Sequence, residues 1–267
     1  FTLPRGVVMG FIGENGAGKT TTIKAVLNLI RRDAGAIKVL GLDNIAQERA
    51  VKERIGVVLE DGCFLNTLTA RHVDVLMGKA YQSWQSEQFF RFMERFGIDR
   101  NKKIKDYSKG MRMKVSIAAA LSHGAELLIM DEPTSGLDPV VRDEVLDLFY
   151  DFMQEDSHAI LLSSHITSDL DKIADHITFI HQGRVLLSEP RDELLDTFGV
   201  LLDTFGVLRC TAEQLSALEP SAVRAKRIGA FGCEALVRRG SVPANWPVEA
   251  ANIEQIMLFL TRGEETR

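Results

Sequence analysis

One short stretch governs what this chain can fold into. In "VVMGFIGENGAGKTTTIKAV" an apolar run, a glycine-bearing loop and a helical pattern follow one another without a gap. The run from Val7 to Ile12 contains no polar side chain, so it reads as a strand buried on both faces, the kind found inside parallel sheets. Further on, Ile23, Val26, Leu27 and Ile30 recur on one face and predict a helix over 19–32. Between the two, Gly13 to Thr20 fits G-x-x-x-x-G-K-[ST] in the context that pattern needs, directly after a strand and directly before a helix. Glycines there let backbone N–H groups curl around phosphate oxygens, and the helix N-terminus adds a favourable dipole. Asn15, Gly16, Ala17 and Gly18 would form this cradle and Lys19 would reach the β- and γ-phosphates. The Thr20 hydroxyl would coordinate Mg²⁺, and Thr21 would donate to the α-phosphate. A glycine-rich turn without a ligand is the plain alternative, and the strand–loop–helix context argues against it.

The runs "IGVVL", "ELLIM" and "AILLSS" share this all-apolar character and alternate with helical patterns. The expected fold class is therefore α/β, a P-loop nucleoside triphosphatase with a mostly parallel sheet flanked by helices. Residues 67 to about 125 interrupt the alternation and read as an inserted helical subdomain. Phe89, Phe92, Met93 and Phe96 give it an apolar face, which core packing explains. Asp138 followed by Pro139 is an N-cap and first-turn pair, opening a helix to about Glu155. "HITFIHQGRVLLSE" reads as a hairpin at a sheet edge, turning near Gln182-Gly183.

Two domains are expected, a nucleotide-binding domain over 1–190 and a small α+β appendage over 191–267 that ends in an amphipathic "NIEQIMLFLTR" helix. Because the sequence enters a buried-strand pattern almost at once, preceding strands are expected to be missing. At the domain junction "LLDTFGV" at 194–200 is repeated at 201–207. In a helix a seven-residue insertion keeps the buried face, whereas in a strand it swaps the faces. A local duplication accounts for it, and no chemistry is assigned to it.

Composition narrows the partners. A net charge of −5 over 267 residues offers no basic surface for wrapping nucleic acid. Cys63, Cys210 and Cys233 are widely scattered, without CxxC or Cys/His ligand spacing, and read as reduced thiols. No apolar run approaches the roughly 18 residues of a membrane span.

The second half of the phosphate site is "LLIMDEP". Asp131 ends a strand, where its carboxylate can face a metal directly or through water, and Glu132 is the candidate base for an attacking water. Alone, such a pair is more often a cap or a solvated turn; beside a phosphate loop it becomes chemistry. In "LLSSH", His165 ends another buried strand, where an imidazole can donate to the γ-phosphate or stabilise the water. The other five histidines read as structural. "YSKGMRMK" poses a puzzle, because Ser108 with a Lys-Gly pair makes a second anion-seeking helix start, remote from the phosphate loop.

Taken in order, "GENGAGKTT", "YSKGM", "LLIMDEP", "SGLD" and "SSH" resemble the motifs of the ATP-binding subunits of bacterial ABC transporters, of the exporter type that handles drugs, peptides and antibiotics. The resemblance covers residues 1 to about 190. It implies ATP and Mg²⁺ as ligands, and hydrolysis that powers transport through a separate membrane permease. It also implies a second nucleotide-binding subunit and a location on the cytoplasmic face of the cell membrane. In that family Ser108, Lys109, Gly110 and Met111 occupy the place of the signature, usually Leu-Ser-Gly-Gly-Gln, which crosses to the ATP of the partner subunit. Asp138 of "SGLD" would lie at the same seam.

The departures are specific. Lys109 replaces a glycine and Met111 the glutamine. In "IGVVLEDGC", Glu60 stands where the family has a metal-sensing glutamine. A carboxylate there can still ligate Mg²⁺, yet it adds negative charge near the phosphates and implies altered metal dependence. No adenine-stacking aromatic is found, since Phe1 lies too close to the loop. A regulatory ABC-type protein with weak hydrolysis, or one acting on ribosomes or DNA, is the alternative. A P-loop kinase would leave Ser108, Asp138 and His165 unexplained together.

Overall fold

The apolar runs become the interior strands of a parallel sheet in a computed structural model of the protein, which describes residues 1–60, 64–164, 167–191, 205–229, 232–243, 245–250 and 264–265. The chain divides into two compact units, Phe1–Ser188 and Glu189–Arg267.

In the first unit, β1 (Val8–Ile12) leads into α1 (Lys19–Val26). A small hairpin, β2 (Lys38–Val39) and β3 (Leu42–Asp43), and α2 (Glu48–Glu53) precede β4 (Ile55–Val58). Three helices, α3 (Ala70–Ala80), α4 (Ser86–Arg95) and α5 (Lys109–Leu121), intervene before β5 (Leu127–Asp131). Then come α6 (Pro139–Phe152), β6 (Ala159–Ser164), α7 (Thr167–Ile173), β7 (His176–His181) and β8 (Arg184–Pro190).

The sheet order is β4-β5-β6-β1-β7-β8, so β1 lies inside it with β6 between β1 and β5. The β4–β5, β5–β6, β6–β1 and β1–β7 pairings are all parallel. Burial on both faces explains why these strands have no polar alternation. On one face Met9, Phe11, Leu127, Ile129 and Leu161 pack with Ile23 of α1 and Leu27, which follows it. The opposite face is approached closely at two glycines. A Cβ on Gly56 would lie 2.6 Å from the carbonyl of Ala120 in α5, and one on Gly10 would lie 3.1 Å from Leu170 of α7.

Helix α1 is shorter than its apolar periodicity predicts, stopping at Val26. Asn28 has a φ of 54°. Its N–H donates to the Ala25 carbonyl at 3.1 Å, and that of Leu29 to Lys24 at 2.8 Å. These two bonds form a Schellman cap with asparagine in the left-handed position. The buried Asn44 amide completes it by donating to the carbonyls of both Ala25 and Val26 at 2.9 Å. The β7–β8 turn follows expectation, with left-handed Gln182 and Gly183 (φ 47° and 75°) as a tight two-residue hairpin needs.

Phe89 and Met93 of α4 are fully buried with Val73, Tyr107 and Val115, and Phe92 stacks on Phe96 at the margin. This cluster is the core of the helical insertion.

The second unit is an antiparallel sheet of order β12-β9-β11-β10-β13. Its strands are β9 (Phe205–Cys210), β10 (Val223–Gly229), β11 (Gly232–Arg238), β12 (Val248–Ala250) and β13 (Glu264–Glu265). A short helix α8 (Ala212–Ser216) starts at a reciprocal cap: Gln214 N–H donates to the Thr211 hydroxyl, and Thr211 N–H to the Gln214 side chain. Leu208, Val223, Ala235 and Val237 form the core of this unit. The second copy of the repeat ends inside β9, at Phe205, Gly206 and Val207. Its other residues, the whole first copy and the helix expected at 252–262 lie outside the described residues.

Candidate active site

Parallel register decides which residues meet at the C-terminal edge of the sheet. Ile12 pairs with Ser164 and Asp131 with Ser163, so the ends of β1, β5 and β6 come level. The loop Gly13–Gly18 leaves β1 at this edge, where α/β sheets present their ligand crevices.

Gly18 caps α1 with a φ of 111°, a conformation that suits glycine, and no side chain caps the helix. The first-turn N–H groups thus meet no capping side chain, the arrangement that attracts anions. The loop is braced from below. A Cβ at Gly13 would lie 2.4 Å from the Ile180 carbonyl, so only glycine fits. The Gly183 N–H donates to Ala17 O at 2.8 Å, and His181 Nδ1 lies 3.0 Å from Glu14 Oε1. The sequence marked the Gln182-Gly183 turn but not that it would sit under the loop.

Lys19 is buried, its ammonium donating to Gly13 O at 2.7 Å and lying 3.5 Å from Glu132 Oε1. The Thr20 hydroxyl donates to Asp131 Oδ2 at 2.8 Å. Ser163 Oγ donates to the other oxygen, Oδ1, at 2.5 Å and fixes the carboxylate plane. Ser163 was not singled out from the sequence; only the register identifies it. Asp131 is 2% exposed and Glu132 6%. Glu132 has a φ of 52°, held by its N–H donating to Ser163 O and its carbonyl accepting from Ser135 N–H. Such a backbone costs about 1–3 kcal/mol for a side chain of this kind and collects at functional sites.

Glu14, Asn15, Gly16, Gly18, Lys19, Thr20, Thr21, Glu60, Glu132 and Ser135 line one cavity of about 470 Å³. Ala17 is buried beneath the loop, and Asp131 stands behind Thr20. Hard oxygen donors at Thr20, Asp131 and Glu60 suit Mg²⁺, which takes one or two carboxylates with phosphates and water rather than an all-protein cage. No group of three or more His, Cys, Asp and Glu in metal-holding proximity occurs among the described residues. His165 lies outside the described residues.

The structure does not bring the other motif into this cavity: none of residues 108–111 nor Asp138 is among the residues lining it. Ser108 is exposed and caps α5, its Oγ accepting from Met111 N–H at 3.1 Å. Lys109 reaches over Gly136, where an added Cβ would lie 2.8 Å from its Nζ. Gly110 packs near Leu137 and Val141. Asp138 caps α6 by accepting from Val141 N–H at 3.1 Å. Ser108, Lys109 and Asp138 are exposed and Gly110 and Met111 half-buried, and together they join the start of α5 to the loop that follows Glu132.

A family model, the ABC transporter, matches residues 1–135. The chain belongs to the ABC transporter family. It is 36% identical over 192 residues to the bacitracin transport ATP-binding protein BcrA of Bacillus licheniformis, covering 71% of this chain and 63% of that protein. To the ABC transporter ATP-binding protein NatA of Bacillus subtilis (strain 168) it is 34% identical over 203 residues, covering 73% of this chain and 82% of that one. Among solved structures it is similar to an ATP-binding subunit of an ABC transporter, with a TM-score of 0.68 and 29% identity over 75% of this chain and 85% of that one. The chain thus spans just under two thirds of the bacitracin protein's length.

Proposed function

We propose that this chain is the ATP-binding and ATP-hydrolysing subunit of an ABC transporter that exports its substrate through a separate membrane permease. The observation that carries the reading is the Thr20–Asp131 hydrogen bond at 2.8 Å, with buried Glu132 beside Lys19. It joins a phosphate cradle, a place for a metal and a base at one sheet edge. The loop's backbone and Lys19 hold the triphosphate, and Thr20, Asp131 and Glu60 would hold Mg²⁺. When bound, that ion would supply neutralisation of the charge that develops on the phosphates. Glu132 orients water for in-line attack and takes its proton, while Ser163 keeps Asp131 in place. His165 is assigned the γ-phosphate contact.

In the same reading Ser108, Lys109, Gly110, Met111 and Asp138 complete the pocket of a second nucleotide-binding subunit. That role agrees with the exposure of Ser108, Lys109 and Asp138 outside their own cavity. No described helix is long and apolar enough to cross a membrane. In this reading a separate permease supplies the path and the chain works at the membrane's cytoplasmic face. The export assignment rests on relatives named for bacitracin transport and for daunorubicin and doxorubicin resistance.

The test is Glu132→Gln, which keeps size and removes the base. ATP turnover, read as phosphate release, is expected to fall at least ~100-fold. Affinity for a fluorescent ATP analogue should not fall, since the cradle and Lys19 are untouched and one negative charge leaves the cavity. Undiminished turnover would reject Glu132 as the base.

A further inference from the structure

The second unit is the part of the molecule to which ATP chemistry gives no role, and it contains a pair that the sequence keeps far apart. Cys210 and Cys233 are direct partners in the antiparallel β9–β11 ladder, next to the Arg209–Glu234 pair. Directly opposed residues of such a ladder project to the same face. Their Cα atoms stand about 4.5–5.5 Å apart, inside the roughly 4.4–6.8 Å window of a disulfide. Two residues along each strand, Leu208 and Ala235 oppose one another within the unit's core, so both thiols face the core side. Both are free cysteines, Cys233 buried and Cys210 half-buried. Burial, and then the neighbouring Cys233, push the Cys210 thiol up, the second effect acting only at short range.

We propose that Cys210 and Cys233 form a reversible dithiol–disulfide pair, a modification site whose reaction partner is a small-molecule disulfide such as oxidised glutathione. Cys210, the half-exposed member, loses its proton to solvent and its thiolate attacks one sulfur of the small disulfide. A mixed disulfide forms and one thiolate leaves. Cys233, directly opposite, then deprotonates and attacks the Cys210 sulfur, expelling the second thiolate. Two electrons pass from the protein pair to the small disulfide, and the two protons end on the released thiols. The new bond staples β9 to β11 at a rung already paired, with no change of register. Because the Cys210 thiol is raised, the reaction is slow at neutral pH and accelerates as pH climbs through and above the ordinary thiol range.

The experiment uses the full chain carrying Cys63→Ser, so that only the pair can react. It is incubated with graded mixtures of reduced and oxidised glutathione, quenched with an alkylating reagent and weighed intact. The expected product has lost the mass of two hydrogens, takes up no alkyl group, and yields a linked peptide joining Cys210 to Cys233; dithiothreitol restores two alkylatable thiols. Adding Cys233→Ser should instead trap glutathione on Cys210, whereas Cys210→Ser should leave Cys233 largely unmodified. Two free thiols in every mixture, a stable glutathione adduct with Cys233 present, or disulfides only between molecules would each overturn the proposal. The linked Cys210–Cys233 peptide is sought in the unsubstituted chain as well, so that the central reading does not depend on a serine variant folding.

Discussion

Glu60 sets the charge balance of the cavity. Glu14, Glu60 and Glu132 line it against a single lysine, Lys19, before any phosphate arrives. In the proposed reading the Glu60 carboxylate acts on metal and phosphate rather than on the fold. One charge several ångströms away, at the effective dielectric of a partly exposed site, is worth about 1 kcal/mol, or roughly fivefold in an equilibrium constant. For Glu60→Gln two opposite shifts are expected. Without metal, ATP should bind about fivefold more tightly, because a repelling charge is gone. The Mg²⁺ concentration for half-maximal hydrolysis should rise by a similar factor, because a ligand is gone. Metal titrations of the two proteins decide it, and superimposable curves would remove Glu60 from the metal site.

Between elements, the clearest clasp joins the starts of β4 and β5. Arg54 donates to Glu126 through Nε at 2.5 Å and Nη2 at 2.8 Å, while the Glu126 N–H donates to Arg54 O at 2.8 Å. The Arg54 hydrogen bonds hold the Glu126 carboxyl below the usual carboxylate range, against the opposing effect of burial. A carboxyl with a lowered folded pKa stabilises fully above its unfolded value and loses that contribution as pH falls through the folded one. Glu126→Gln should therefore cost about 1 kcal/mol near neutrality, since both groups are partly solvated, and the gap should close below about pH 4. Urea unfolding across pH measures it, and a gap that does not narrow in acid would contradict the assignment. This clasp was not legible in the sequence, because residues 54 and 126 are unrelated until the strands pair. The strands themselves were legible, since burial on both faces leaves an all-apolar run. The end of α1 was not: the apolar stripe continues to Ile30, and the cap depends on Asn28 and on Asn44 from a later turn. The β2–β3 hairpin was missed too, because it has only two residues per strand and its left-handed turn, Leu40-Gly41 (φ 51° and 82°), opens on a residue with no turn signature.

At the scale of the molecule, the meeting of the phosphate loop with the Asp131-Glu132 pair at one sheet edge could be read from motif spacing, while their support could not. Ser163, Ser135 and the turn beneath Ala17 are brought in by the fold, and the strained backbone of Glu132 is invisible in "DEP". The start of α5 presents the remaining problem. Ser108 is exposed at a helix start beside Lys109 and Asp138, while Gly110 packs toward Leu137 and Val141. If two subunits close head to tail, each patch covers the other's cavity, and ATP becomes part of the interface. Glu132→Gln protein with saturating Mg-ATP, together with any second subunit that co-purifies with it, is then expected to scatter X-rays as a compact pair of twice the subunit mass. Without nucleotide the subunits should stay single. Adding Ser108→Arg puts a bulky side chain into the seam, far from the loop that binds the analogue. It should abolish pairing while analogue affinity for the single subunit is unchanged. Single particles at saturating Mg-ATP, with nucleotide demonstrably bound, would mean that the patch serves its own helix and no partner.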